Sequence, residues 1–143
     1  MMFDHDADEP VLVLTEEQAW SLLERTTHGR LATAVGGAVD IFPLNFGLVG
    51  KTLYIRTAPG EKLAALTVHD AVAFEADGIL SDEAWSVVVH GHAHQLQTTA
   101  EIEEARSSGV APWTPTPKES WVKIEVTNIS GRHFRLGEQP EAD

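Results

Sequence analysis

Cysteine is absent from all 143 residues, which removes disulfides, thiolate catalysis and cysteine metal sites together. Positive charge is scarce. Ten Lys plus Arg stand against 22 Asp plus Glu, a formal net charge of −12. Such a chain repels nucleic acid and anionic lipid, so any anionic ligand must be gripped by a local cationic pocket rather than by the global field. No apolar run approaches the ~18 residues that a spanning helix needs, so no membrane partner is expected. The first ten residues are acidic and lack the basic and apolar regions of a secretory signal, which makes cytoplasmic residence the expectation. A hydrophobic content of 43% is ordinary for one globular domain.

The most informative stretch runs from Leu53 to Lys62. It reads as a strand ending in Arg56-Thr57, a Pro59-Gly60 turn, and Lys62 at the head of a short amphipathic helix over 62–67. A planar guanidinium, a hydroxyl, a mobile ammonium and the unpaired N–H groups of a first helical turn gather several donors for one anion. The reading is a phosphate seat, with two surface charges beside a turn as the alternative.

Around it, the period of apolar residues changes along the chain. Residues 1–10 read as a disordered acidic tail. Thr15 caps a helix, Gln18 completes a capping box, and Ala19, Leu22 and Leu23 give one apolar stripe that ends near Thr26 to Gly29. From Leu31 the period is two: a hairpin across Gly36-Gly37 into Val39–Phe46, then strands over Thr52–Thr57, Ala71–Ala76 (ending in an Asp77-Gly78 turn), Trp85–Gln97 and Trp121–Val126. A short helix is expected over Glu101–Ser107, and the prolines 112, 115 and 117 make residues 109–117 a stiff loop. About six strands joined by tight turns, with few helices, predict a mainly β fold, a small antiparallel barrel. The domain is expected over residues 11–137, followed by a tail over 138–143. Within the long strand, Trp85, Val87, Val89, Gly91 and Ala93 are expected inside, and Ser86, Val88, His90, His92 and His94 outside.

An ordered set of short motifs carries a resemblance. Gly29-Arg30-Leu31-Ala32, Ile41 to Phe46, Ile55-Arg56-Thr57 with Gly60 and Lys62, Val72 to Glu75, Trp85 to Val89 with Gly91, Pro112-Trp113 and Ile129 to Arg132 follow one another as in the pyridoxamine 5′-phosphate oxidase-like flavoproteins. The match spans roughly 12–136 and is most similar to the short bacterial branch that includes nitroimidazole-reductase-like proteins. The resemblance implies a six-stranded antiparallel split β-barrel that forms a homodimer and holds FMN in clefts between subunits. It assigns Arg56, Thr57 and Lys62 to the phosphate, and Pro43, Leu44, Asn45 and Phe46 to the strand along the isoalloxazine ring. Asn45 either pairs with the ring's polar edge or caps the Gly47 turn. Ser86 lies in a segment near the flavin, with Trp85 in the core. Trp113 either folds over the partner's flavin or plugs the interface, and Arg132 is placed near the cofactor or interface.

The implied activity is flavin-dependent oxidoreduction with an unidentified small-molecule substrate or electron donor. A deazaflavin on the same fold, or a non-catalytic flavin- or heme-binding or storage module, are the alternatives. No catalytic side chain is assigned, because flavin chemistry requires no protein nucleophile. The second basic cluster that a phosphorylated substrate would need has no obvious counterpart, so pyridoxal phosphate synthesis is not expected. His90, His92 and His94 alternate on one strand face. They read as a solvated or interfacial polar face, with metal ligation aided by His69 or His133, or proton donation, as alternatives; no metal site is assigned.

Overall fold

The computed structural model describes residues 1–57, 70–110 and 120–137. Among these, eight strands and two helices follow in the order β1 (Val11–Val13), α1 (Glu16–Glu24), β2 (His28–Val35), β3 (Ala38–Asn45), β4 (Gly47–Val49), β5 (Thr52–Thr57), β6 (Ala71–Ile79), β7 (Glu83–Gln95), α2 (Thr99–Arg106) and β8 (Ser120–Arg135). The strands form one antiparallel sheet in the order β3-β2-β6-β7-β8-β5-β4, with β1 added against β8. Six strands were expected from the alternating pattern. The two additional ones, β1 and β4, are three residues each, too short for alternation to register. β3 at one end of the sheet touches β5 near the other, so the sheet curls toward itself.

Local chemistry sets these elements. The Thr15 hydroxyl accepts from the Gln18 N–H at 3.2 Å, and the Gln18 side chain accepts from the Thr15 N–H at 2.9 Å, satisfying two donors at the start of α1. Gly36 and Gly37 have φ of 55° and 85°, the left-handed pair that a tight hairpin between β2 and β3 demands. The Asp77-Gly78 turn is not where the chain reverses. β6 runs on to Ile79, pairing Asp77 with Ser86 and Gly78 with Trp85, and the turn comes at Leu80–Asp82, where the Leu80 N–H donates to the Glu83 carbonyl at 2.7 Å. Gly78 serves close approach instead. A Cβ there would sit 2.5 Å from Nε1 of Trp85, so the glycine lets the indole lie against the backbone.

The inner face of the sheet and α1 bury Leu22, Leu23, Leu31, Leu53, Ile55, Phe74, Val87, Val89 and Ile124 in one core. Full burial of each such side chain stabilises the fold by roughly 1.5–3 kcal/mol. Trp85, Val87, Val89, Gly91 and Ala93 of β7 all face inward, while Ser86 and Val88 are half-buried and His90, His92 and His94 are exposed. The β7–β8 ladder carries a register shift between His90 and Gly91. A second, smaller cluster of Tyr54, Leu96, Ala105, Val110 and Trp121 packs α2 against the outer side of β5 and β8. Burial, followed by the carboxylates of Glu104 and Glu101, holds the Tyr54 phenol above its ordinary range. Residues 1–10 also touch the core: Met2 and Phe3 pack against it.

Candidate functional site

β8 is the long axis of the site. Residues directly opposite in an antiparallel pair point to the same face, and the β7–β8 register sets Ser86 against Arg132 and Val88 against Ser130. These side chains, with the backbone of Gly131, line an outer groove of about 270 Å³. Arg132 is exposed and pairs with no carboxylate among the described residues. Hydroxyls, a guanidinium and one apolar wall make the groove a seat for a polar, electron-rich ligand edge.

The β6–β7 register extends the same face. Asp77 stands opposite Ser86 and Glu75 opposite Val88, and Arg30 of β2 reaches both acids, 3.2 Å from Glu75 and 3.0 Å from Asp77. Burial, with the hydrogen bond and charge of Asp77, pushes the Glu75 carboxyl up to about 7, against the opposing pull of Arg30. Sequence reading used Arg30 and Glu75 only as motif letters. The ion cluster they form was hidden because the three residues lie 45 and 47 positions apart.

The phosphate-seat residues stand elsewhere. Arg56 is opposite Trp121 at the start of β8, its guanidinium carbon 5.5 Å from the indole centroid in cation–π contact. Thr57 closes β5 beside it. Lys62 and Trp113 lie outside the described residues. The strand expected along the ring comes to the same end. Pro43, Leu44 and Asn45 close β3, Phe46 follows, and Gly47 of β4 pairs with Tyr54, two residues before Arg56. Leu44 and Phe46 are buried, and Phe46 packs edge-on against Phe74 with ring centroids 4.8 Å apart. Thus the structure gathers Pro43 to Phe46 with Arg56, and Ser86 with Arg132, as two separate groups. From Trp121 to Arg132 is more than about 30 Å of strand at ~3.3 Å per residue.

The histidine stripe dissolves into separate contacts. His92 lies 3.1 Å from Asp70, whose carboxyl is lowered chiefly by that hydrogen bond, and His94 lies 3.9 Å from Glu125. His133, weighed as a helper for metal binding, is fully buried on the opposite face of the sheet. His69 lies outside the described residues. Among the described residues no three His, Asp or Glu side chains converge as a metal site, and no helix is long and apolar enough to cross a membrane.

An antiparallel sheet in this order, flanked by two short helices among the described residues, defines a small, mainly β fold. A family model described as pyridoxamine 5′-phosphate oxidase matches residues 15–133, and the chain belongs to that family. The structure superposes with a TM-score of 0.86 on a Corynebacterium glutamicum protein assigned provisionally as a pyridoxamine 5′-phosphate oxidase; it is 39% identical and the match covers 94% of this chain and 100% of that one. An FAD binding protein from Mycobacterium smegmatis is 38% identical, with a TM-score of 0.77 over 88% of this chain and 100% of that one. An uncharacterised Mycobacterium tuberculosis protein is 44% identical over 92 residues, 64% of this chain and 84% of that one.

Proposed function

We propose that the protein is a homodimeric, cytoplasmic flavoprotein that binds FMN and acts as an oxidoreductase on a small molecule. Family membership supports the flavin, and the outer groove is the observation that carries the reading. Serine hydroxyls and a guanidinium that meets no carboxylate among the described residues, beside an apolar wall, suit the polar edge of an isoalloxazine ring better than they suit bulk solvent. Arg56 and Thr57, with Lys62, would take the phosphate. Pro43 to Phe46 would flank the ring, Ser86 and Arg132 would close the site, and Trp113 would cover it. The bound flavin supplies two-electron chemistry. The chain's own residues bind, orient and exclude water.

The length of strand between Arg56 and Arg132 exceeds one FMN molecule, so a cleft using both groups draws them from different subunits. Surface composition supports a second copy. Val13 pairs with Arg132 and Ile79 with Ala84, which puts both on the groove's face; they are 73% and 79% exposed. Val39 and Ile41 of β3, on the same face through their pairing with Ala34 and Ala32, are 71% and 65% exposed. Exposed apolar side chains gathered on one face in this way mark an interaction surface.

Subunit complementation is the test. Arg56→Ala and Arg132→Ala homodimers should each bind FMN at least tenfold more weakly, as expected from a charge-assisted contact of about 1.5–3 kcal/mol. Riboflavin, which has no phosphate, should lose affinity only in the Arg132→Ala protein. A heterodimer of the two variants should regain one full-affinity site, because one cleft then takes both intact groups. Weak binding at both clefts of the heterodimer would show that each site belongs to one chain. The name of the M. smegmatis relative favours FAD as a second reading, and the mass of the flavin released from the purified protein distinguishes the two. Stopped-flow reduction by NADH or NADPH separates an enzyme from a carrier.

A further inference from the structure

Behind the groove wall, on the inner face of the same two strands, three titratable groups form a chain. His133 of β8 is fully buried and Glu83 of β7 is 4% exposed. Nε2 of His133 lies 3.5 Å from Oε1 of Glu83, an ion-pair distance without hydrogen-bond geometry. On its other side, Nδ1 of His133 is in hydrogen-bond contact with Nε2 of His5. His5 in turn places Nδ1 3.0 Å from the Glu9 carbonyl oxygen. The Met2 N–H donates to both Glu83 oxygens, at 3.1 and 3.2 Å, and Phe3 stands edge-on to the His133 ring with centroids 5.3 Å apart. Glu83 and His133 therefore hold down an N-terminal segment through contacts that span 81 and 128 positions of sequence.

Counting protons along this chain fixes its state. A carbonyl only accepts, so His5 Nδ1 carries a proton. One proton lies between the two imidazoles. A third must lie between His133 Nε2 and Glu83, because a bare ring nitrogen facing a carboxylate is repulsive. Three protons over one carboxylate and two imidazoles leave the trio neutral overall, as burial requires. Removing one breaks a contact at one link of the chain. Adding one either turns two donors face to face between the rings or protonates the carboxylate that accepts from Met2.

We propose that Glu83, His133 and His5 form a latch that holds residues 2–9 over the β7–β8 end only while they share three protons. Other charged groups near the latch are Arg135, whose guanidinium donates to the Ala7 carbonyl at 2.9 Å, and the segment's own Asp4, Asp6, Asp8 and Glu9. The latch opens on both sides of a pH window, because one proton is gained on one limb and one is lost on the other. Each limb should change the closing equilibrium about tenfold per pH unit.

The test is backbone and imidazole ¹⁵N NMR of the full chain from about pH 4.5 to about pH 9.5. Residues 2–9 should be as rigid as the sheet near the middle of the range and mobile at both ends, while the β7 and β8 amides stay unchanged. His5→Ala should leave the segment mobile at every pH with the sheet intact. Phe3→Ala should lower closure at every pH yet keep the two-sided profile, since it removes packing and no proton. Order that is independent of pH, or that is lost on one side only, would overturn the three-proton count. So would a Phe3→Ala protein whose remaining order no longer depends on pH.

Discussion

The Arg30–Glu75–Asp77 cluster makes a prediction whose sign and size can be worked out. The folded Glu75 carboxyl titrates near 7 rather than at 4.5, so between these values the native state holds a proton that the unfolded chain has released. Native stability from this group is therefore fully present below about pH 4.5 and is lost as pH rises through about 7. At about 1.4 kcal/mol per pH unit the upper bound is near 3.4 kcal/mol. The side chain is 33% exposed, and solvent screening reduces the effect to about 1–2 kcal/mol. Glu75→Gln reproduces the protonated form: its amide oxygen still accepts from Arg30 and its NH₂ donates to Asp77. The variant should match the parent protein near pH 4.5 and be more stable by about 1–2 kcal/mol at pH 8, a rise in Tm of roughly 3–8 °C. Thermal unfolding followed by circular dichroism at the two pH values reads this directly. An equal offset at both pH values, or a Gln variant that is less stable at pH 8, would refute the assignment of a raised Glu75.

Phe74 is fully buried and stacks edge-on with Phe46, so Phe74→Ala should cost about 3–5 kcal/mol in urea unfolding. Gly78→Val drives a branched side chain into the Trp85 indole; a loss of about 1–3 kcal/mol with a shift in tryptophan emission is expected, whereas Ala34→Val, at an exposed strand position, should leave both nearly unaltered. Thr15→Ala removes the α1 cap and should cost about 1 kcal/mol, measured by chemical denaturation.

What was legible in the residues divides along a physical line. Signals carried by neighbours in sequence were readable. The capping box at Thr15 and Gln18, the paired glycines of the β2–β3 hairpin and the in–out alternation of β7 each depend on residues within a few positions of one another. The Asp77-Gly78 dipeptide misled for an equally local reason: an Asp-Gly pair signals a turn, and only the indole of Trp85, seven residues on, explains why the strand continues through it. β4 falls between the expected strands Val39–Phe46 and Thr52–Thr57, because a three-residue strand contains less than two periods of alternation. Long-range chemistry was silent. Arg30 meets its acids across strands, and His5 meets His133 from opposite ends of the chain; no composition or spacing joins them. Among the predicted site residues, the resemblance assigned Arg56, Pro43–Phe46, Ser86 and Arg132 to one cofactor, and the distance of Ser86 and Arg132 from the others became visible only once β8 was seen to be one strand of 16 residues.

That strand length, joined to the charge economy of the chain, sharpens the argument for where a ligand binds. In a protein at −12, cations are drawn to carboxylates by default. Arg30 sits between Glu75 and Asp77, Arg106 lies 4.0 Å from Glu103, and Lys123 lies 4.0 Å from Glu125. Arg132 departs from this pattern: it stands among two serines and a valine with no acid in reach among the described residues, while Arg56 faces an indole at the other end of β8. Cation–π stacking holds the Arg56 guanidinium against the Trp121 indole. Under the proposed function, each end of β8 offers a guanidinium to an anionic or electron-rich ligand, and a second subunit placed head to tail would bring the two ends into one cleft.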